Sequence, residues 1–74
     1  MRNLKPYTVN EKVFWKWMGC EIYGFIVESY MQPIEREIKG KRIKRNGSVD
    51  KPAYLVKSVA GNYALKLHSE LKRA

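Results

Sequence analysis

The sequence predicts one small all-β barrel of five to six strands, formed by residues 12–74 after a lead-in or tail at residues 1–11. A chain of 74 residues has room for one domain with a thin core. Several segments alternate apolar and polar residues with a period of two and are rich in aromatic and β-branched residues, as strands are. Turn signals separate these segments at short intervals, which favours a barrel over helical folds.

The first predicted strand starts at residue 12. Val13, Trp15 and Trp17 share one face, and a tight turn at Gly19-Cys20 ends the strand. A second strand is predicted for Glu21 to Tyr30. Its mid-strand glycine, at position 24, indicates a bulge, a bend or a close approach of another backbone.

A hairpin is predicted for residues 34–45, with its turn at residues 39–41. This arrangement brings Glu37 near Arg42 or Lys44 on the opposite strand. Opposite charges facing each other across a hairpin contribute about 0.2–1 kcal/mol, so they help to select the register.

The last two predicted strands, residues 54–57 and 63–67, form a second hairpin around a turn at residues 60–62. Residues 68–71 are predicted to form a short C-terminal helical turn. Leu71 is the only large apolar residue of that turn, so we expect it to close one end of the barrel.

Short motifs recur along the chain in an order that carries a family resemblance. They are Trp15-Lys16-Trp17, Gly24-Phe25-Ile26, Ile38-Lys39-Gly40-Lys41, Arg45-Asn46-Gly47-Ser48, Asp50-Lys51-Pro52, Ala53-Tyr54-Leu55-Val56, Gly61, Leu65-Lys66 and Ser69-Glu70-Leu71. Their order and spacing resemble the hypervirulence-associated-protein tudor domain family from about Val13 to Leu71. The resemblance implies an SH3-like, tudor-like barrel, here with a protruding basic hairpin. It implies no particular biochemical activity, because fold alone does not determine function.

Charge provides the main functional signal. Fifteen Lys and Arg residues against seven Asp and Glu residues give a net charge of +8, which favours a polyanionic partner. Seven basic residues cluster in and after the hairpin: Arg36, Lys39, Lys41, Arg42, Lys44, Arg45 and Lys51. The sequence leaves two interpretations open, a nucleic-acid-binding strip and a charged hairpin that protects a sheet edge from aggregation.

Nine aromatic residues are too many for so thin a core. We expect Trp15 and Tyr54 to be buried, and Tyr23 and Phe25 to be exposed contacts that stack on bases. The alternative function is a protein-interaction module that binds an acidic or peptide-like partner through the same exposed aromatics. A structural role without any ligand is the third interpretation.

Catalysis is not expected, because the chain has one histidine and one cysteine and no motif that activates a nucleophile. His68 is predicted to lie at the surface or rim, and Cys20 to pack as a small apolar residue in a turn or at a strand start. No cofactor, metal site or membrane contact is predicted. The lone cysteine and the lack of a signal peptide indicate a cytoplasmic protein of undetermined oligomeric state.

Overall fold

Seven strands and one short 3-10 helix account for nearly all regular structure in the computed structural model, which describes residues 6–74. The strands are β1 (Lys12–Trp17), β2 (Cys20–Tyr30), β3 (Pro33–Ile38), β4 (Lys41–Asn46), β5 (Ala53–Ser58), β6 (Tyr63–Leu67) and β7 (Lys72–Arg73), with the 3-10 helix at His68–Glu70 before β7. The all-β class and the short C-terminal helical turn are confirmed. The predicted strand count was one too low, because β7 has no apolar alternation and becomes a strand only by pairing with β1.

The strands form two antiparallel sheets. One has the order β6-β5-β2-β1-β7, and the other consists of β3 and β4. The long strand β2 lies at the centre of the larger sheet, and a register shift between Ile26 and Glu28 interrupts its pairing with β5. Such bulges bend a strand. Closure into one barrel stays a prediction, because hydrogen bonding links the strands into two sheets and not into a single ring.

Two tight turns define the ends of the hairpins β1–β2 and β3–β4. Their central residues, Met18-Gly19 and Lys39-Gly40, all have positive φ angles, between 50° and 82°. Positive φ at both central positions is the pattern of type I′ turns, whose twist matches that of the flanking strands. The second turn lies where the sequence predicted it. The first lies one residue earlier than predicted, so that Cys20 is the first residue of β2 and is exposed.

The core lies on one face of the larger sheet. Its buried members are Tyr7, Val13, Trp15, Ile26, Tyr54, Val56 and Leu71. Burial of Trp15 and Tyr54 is confirmed, and so is the packing of Leu71 into the core. Trp17, which alternation places on the same face, is 59% exposed because β1 runs beyond the core at that end.

The lead-in segment takes part in the core through Tyr7. The backbone N–H of Tyr7 donates to the phenol oxygen of Tyr54 at 3.0 Å, and the Tyr7 hydroxyl donates to the carbonyl of Leu71 at 3.2 Å. Residues 6–11 form no strand, but Tyr7 makes them part of the fold and not a tail. Residues 1–5, the rest of the predicted lead-in, lie outside the described part of the chain.

Gly24 marks a close backbone approach, which is one of the three roles predicted for it. It faces Val13 of β1 and Ser58 of β5 in the sheet register. A Cβ atom at this position would lie 2.9 Å from the carbonyl carbon of Lys57 and closer still to its oxygen. The absence of a side chain at Gly24 therefore allows β5 to pair closely with β2.

The hairpin β3–β4 was predicted to protrude, but it packs against the end strand β6. Three half-buried isoleucines, Ile34, Ile38 and Ile43, share one face of the hairpin. Burial of this apolar face makes the packing favourable. At its tip the ammonium group of Lys39 donates to the side-chain oxygen of Asn62, 2.6 Å away in the β5–β6 turn. The hairpin covers the edge strand β6, an arrangement that protects a sheet edge from pairing with other chains.

Candidate functional site

The face of the larger sheet that points away from the core carries aromatic rings. Because Val13 and Trp15 point into the core, the intervening Phe14 points outward. Phe14 is opposite Tyr23 in the β1–β2 register, and their rings stack with centroids 5.2 Å apart. Phe25, the next outward residue on β2, lies beyond this pair.

Lysines alternate with these rings across the sheet. Phe25 has Lys12 of β1 on one side and Lys57 of β5 on the other, and Lys72 of β7 is opposite Phe14. We call this surface the aromatic–lysine face and define it by Lys12, Phe14, Tyr23, Phe25, Lys57, Tyr63 and Lys72.

The predicted exposure of two aromatic residues on this face is confirmed, since Tyr23 is 38% and Phe25 is 41% exposed. The ammonium group of Lys12 lies 5.7 Å from the centroid of the Tyr23 ring, and that of Lys57 lies 5.5 Å from the ring of Tyr63. These are cation–π distances. They place positive charge beside flat apolar surfaces that solvent reaches.

Glu21 is the acidic neighbour of this face. The Tyr23 hydroxyl donates to its carboxylate at 3.3 Å. The negative charge of Glu21 raises the pKa of the Tyr23 phenol, with smaller contributions from desolvation and from this hydrogen bond. Tyr23 therefore remains a neutral ring at physiological pH and adds no negative charge to the face.

The arginines and the lysines differ in whether they form ion pairs. From residue 6 onward every arginine has a carboxylate partner; the pairs are Arg36–Glu28, Arg42–Glu35, Arg45–Glu70 and Arg73–Glu11. No lysine in the same range has a carboxylate oxygen within 4.0 Å. The excess positive charge of the described chain is therefore carried by lysines.

The seven basic residues predicted as a nucleic-acid site do not lie on one surface. In the β3–β4 register, Arg36, Lys41 and Arg45 share the isoleucine face of the hairpin. Arg42 and Lys44 lie on the opposite face, directly across from Glu37 and Glu35 in the register. Of the two neighbours predicted for Glu37, Arg42 is the one that faces it, although the ion pair of Arg42 is with Glu35. Lys39 is at the tip, and Lys51 follows in the loop before β5. The hairpin therefore presents mixed charge and not a uniform basic strip.

A cleft connects the hairpin to the aromatic–lysine face. It has a volume of about 320 Å³ and is lined by Leu55, Tyr63 and residues 36–39 of the hairpin, among others. Lys39 therefore continues the row of lysines that begins on the sheet, and Arg36 of β3 lines the same cleft. The remaining basic residues of the predicted site lie on β4 or in the next loop.

A second concave surface lies between the turn end of β1–β2 and the hairpin β3–β4. We call it the Trp17 groove; its volume is about 460 Å³ and its lining is Trp15, Trp17, Ile22, Ile38, Lys39, Lys41, Ile43, Ser58, Asn62, Tyr63 and Ala64. Sequence reasoning missed it. The only sequence signal for this groove was Trp17 itself. It directly precedes a glycine-containing turn, where a side chain lies beyond the end of the core.

His68 is half-buried at the rim of the core and stacks on Tyr7 with ring centroids 4.7 Å apart. Its Nδ1 atom lies 3.1 Å from the Tyr54 hydroxyl. The Tyr54 hydroxyl oxygen accepts the N–H of Tyr7, so the hydroxyl proton of Tyr54 is free to be donated to Nδ1 of His68. A nitrogen that accepts a hydrogen bond carries no proton, which fits a neutral imidazole. Burial lowers the pKa of His68, and the positive charge of Arg73 lowers it further.

Metal-ligating side chains are scattered within residues 6–74, and no three of them converge in this part of the chain. None of its helices has the length and apolar character needed to cross a membrane.

Comparison with known proteins agrees with the resemblance seen in the motifs. No curated protein and no solved structure matches the chain significantly. A family model described as the tudor domain of hypervirulence-associated proteins matches residues 11–71, from just before β1 to the end of the core. The chain therefore belongs to the tudor domain family of hypervirulence-associated proteins.

Proposed function

We propose that this domain is a non-catalytic module that binds single-stranded nucleic acid on its aromatic–lysine face. The observation that carries the proposal is the alternation of exposed rings with lysines that have no carboxylate partner. Rings supply stacking surfaces for bases, and ammonium groups supply contacts for phosphates.

The rings are spaced for separate contacts. Tyr23 and Phe25 are two residues apart on β2, which corresponds to about 7 Å along a strand. Phe25 therefore offers a stacking surface separate from the stacked pair of Phe14 and Tyr23. Stacking of one base on an aromatic side chain contributes about 1–3 kcal/mol and does not depend on base identity. The aromatic–lysine face is thus suited to unpaired bases without strong sequence preference.

The lysines of this face are placed to contact phosphates. Lys12, Lys57 and Lys72 surround the rings, and Lys39 extends the row towards the hairpin tip. Lys41, Lys44 and Lys51 add long-range attraction, whereas Arg36, Arg42 and Arg45 of the predicted site are engaged with carboxylates. This arrangement favours the sheet face as the contact and gives the hairpin a supporting electrostatic role.

The test is fluorescence anisotropy of a labelled oligonucleotide of about 10 nucleotides, single-stranded or duplex, over about 50–200 mM salt. Phe25→Ala should weaken single-strand binding by about 5- to 150-fold, the equivalent of one stacked base. Lys57→Glu should weaken binding and lower the slope of log affinity against log salt, by about 0.7 for each phosphate that is no longer neutralised.

Lys44→Glu is the matched control, because it makes the same charge change on the outer face of the hairpin. It should reduce affinity less than Lys57→Glu does. Absence of binding at the lowest salt concentration contradicts the proposal. So does binding that survives Phe25→Ala and Lys57→Glu but is abolished when Arg42, Lys44 and Arg45 are all changed to Glu, which would place the site on the hairpin.

A further inference from the structure

The Trp17 groove lies mainly on the other side of the larger sheet from the proposed nucleic-acid site, although Lys39 and Tyr63 border both surfaces. Trp17, Ile22 and Ala64 lie on the core side of the larger sheet, whereas Phe25 and Tyr23 point to the opposite side. A ligand in the groove would therefore share at most Lys39 and Tyr63 with a strand bound on the aromatic–lysine face.

We propose that the Trp17 groove binds an acidic peptide segment that inserts one large apolar side chain. Its volume of about 460 Å³ is within the range of about 300–1,000 Å³ that is usual for ligand-binding clefts. Trp17 is 59% and Tyr63 is 45% exposed, so the groove is an open trough between two hairpins and not a closed cavity. A trough of this kind accommodates a chain that passes through it.

The interior of the groove is suited to an apolar anchor. Ile22, Ile38, Ile43 and Ala64 supply aliphatic surface, and Trp17 stands at one end. Tryptophan is enriched among the few side chains that carry most of the binding energy of a protein interface. Four aliphatic and three aromatic residues make most of the lining apolar, which favours a buried apolar side chain.

The positive charge at the rim of the groove favours a negatively charged partner. Lys39 and Lys41 line the groove, and the described residues that line it include no carboxylate. The other polar groups, from Ser58 and Asn62, are neutral. Acidic residues on either side of an apolar anchor would meet these lysines, while a basic peptide would be repelled.

The groove is held in shape before any ligand arrives. The hydrogen bond from Lys39 to Asn62 ties the hairpin tip to the β5–β6 turn, and positive-φ turns close both flanking hairpins. Little ordering is therefore needed on binding, which favours affinity.

The experiment is an NMR titration of the ¹⁵N-labelled protein with two synthetic peptides. Both have a central leucine–tryptophan pair, flanked by glutamates in one and by lysines in the other. The chain has two tryptophans, and both line the groove. Trp17 is exposed and Trp15 is buried, so the indole N–H signal of Trp17 is the reporter, and the backbone N–H of Phe25, on the opposite side of the sheet, is the internal control. We expect the Trp17 signal to shift with the acidic peptide, while the Phe25 signal moves less and the basic peptide has no effect.

Variants locate the contact. Trp17→Ala should weaken binding of the acidic peptide by about 30-fold, as loss of a central anchor does. Its control is Met18→Ala, which removes an adjacent side chain that is 81% exposed and outside the groove lining. Lys41→Glu should weaken binding, while Lys44→Glu, on the other face of the hairpin, should have a smaller effect.

Four results would overturn the proposal. The first is equal binding of the two peptides, and the second is a set of shifts centred on Phe25. The third is a Trp17 shift that grows with protein concentration alone, which would assign the groove to a second copy of the chain. The fourth is a Trp17 shift caused by the oligonucleotide and abolished by Trp17→Ala, which would make the groove part of a nucleic-acid site. None of these tests depends on the outcome of the Phe25→Ala experiment.

Discussion

Tyr54 provides a sensitive test of how the core is held together. Its side chain is fully buried, and its hydroxyl lies 3.0 Å from the N–H of Tyr7 and 3.1 Å from Nδ1 of His68. Tyr54→Phe keeps the ring and removes this hydroxyl. The buried N–H of Tyr7 then has no acceptor, and the half-buried imidazole is deprived of a hydrogen bond.

The size of the effect follows from these two hydrogen bonds. A buried donor left without an acceptor costs about 1–3 kcal/mol, and an ordinary hydrogen bond contributes about 0.5–1.5 kcal/mol. We therefore expect Tyr54→Phe to lower the free energy of unfolding by about 2–4 kcal/mol. A domain of this size is stable by only about 4–11 kcal/mol. For so small a domain, a loss of about 2 kcal/mol corresponds to a fall in Tm of about 8–16 °C.

Urea denaturation near neutral pH, followed by circular dichroism, measures this loss, and calorimetry gives the change in Tm. The control is Tyr63→Phe, because Tyr63 is 45% exposed at the edge of the sheet; its effect should stay within about 0.5 kcal/mol. A loss below about 0.5 kcal/mol for Tyr54→Phe, with an unchanged denaturant slope, would refute the reasoning that this hydroxyl anchors the lead-in segment.

Three further predictions concern stability. Gly24→Ala should destabilise the fold by about 1–3 kcal/mol or more, because its methyl group overlaps the Lys57 carbonyl and a backbone must shift; a wild-type urea midpoint would contradict the close approach. Burial lowers the pKa of His68, so stability should be fully present above about pH 6.5 and fall as the pH drops through the folded-state pKa; Tm measured between about pH 5 and 7 checks this, and His68→Gln should flatten the profile. The Glu70 carboxylate accepts the Leu67 N–H at 2.7 Å, so Glu70→Ala should lower the free energy of unfolding by about 0.5–2 kcal/mol; Glu70→Gln, which keeps an acceptor, should lower it less.

Six of the seven strands could be predicted from local pattern, because they are rich in aromatic and β-branched residues or alternate, and turn signals separate them. β2 and β6 were placed within a residue of their observed bounds, and the role of Gly24 followed from its position inside a strand. β7 could not be predicted, since Lys72 and Arg73 have no apolar alternation and pair only because the chain returns to β1. Tyr7 likewise has no neighbouring pattern; its burial depends on Tyr54 and Leu71, which are distant in sequence.

The two functional surfaces differ in how far they could be anticipated. The exposure of Tyr23 and Phe25 follows from alternation on one strand, so the aromatic part of the candidate nucleic-acid site was predictable. The basic part was not. Lys12, Lys57 and Lys72 come from three strands, and only the sheet order β5-β2-β1-β7 places them around the rings.

Composition and alternation by themselves determined the all-β class and the positive charge of this domain, because these properties depend on neighbouring residues or on simple sums. The family was indicated separately, by the order and spacing of short motifs that resemble it. The tertiary structure decided which positive charges are paired and which surface is concave. Every described arginine has a carboxylate partner, and for Arg45 and Arg73 it lies in a distant segment of the chain. Trp17 became the wall of a groove only because the β3–β4 hairpin packs against β6. Such outcomes depend on contacts between residues far apart in the sequence, and local patterning carries no information about them.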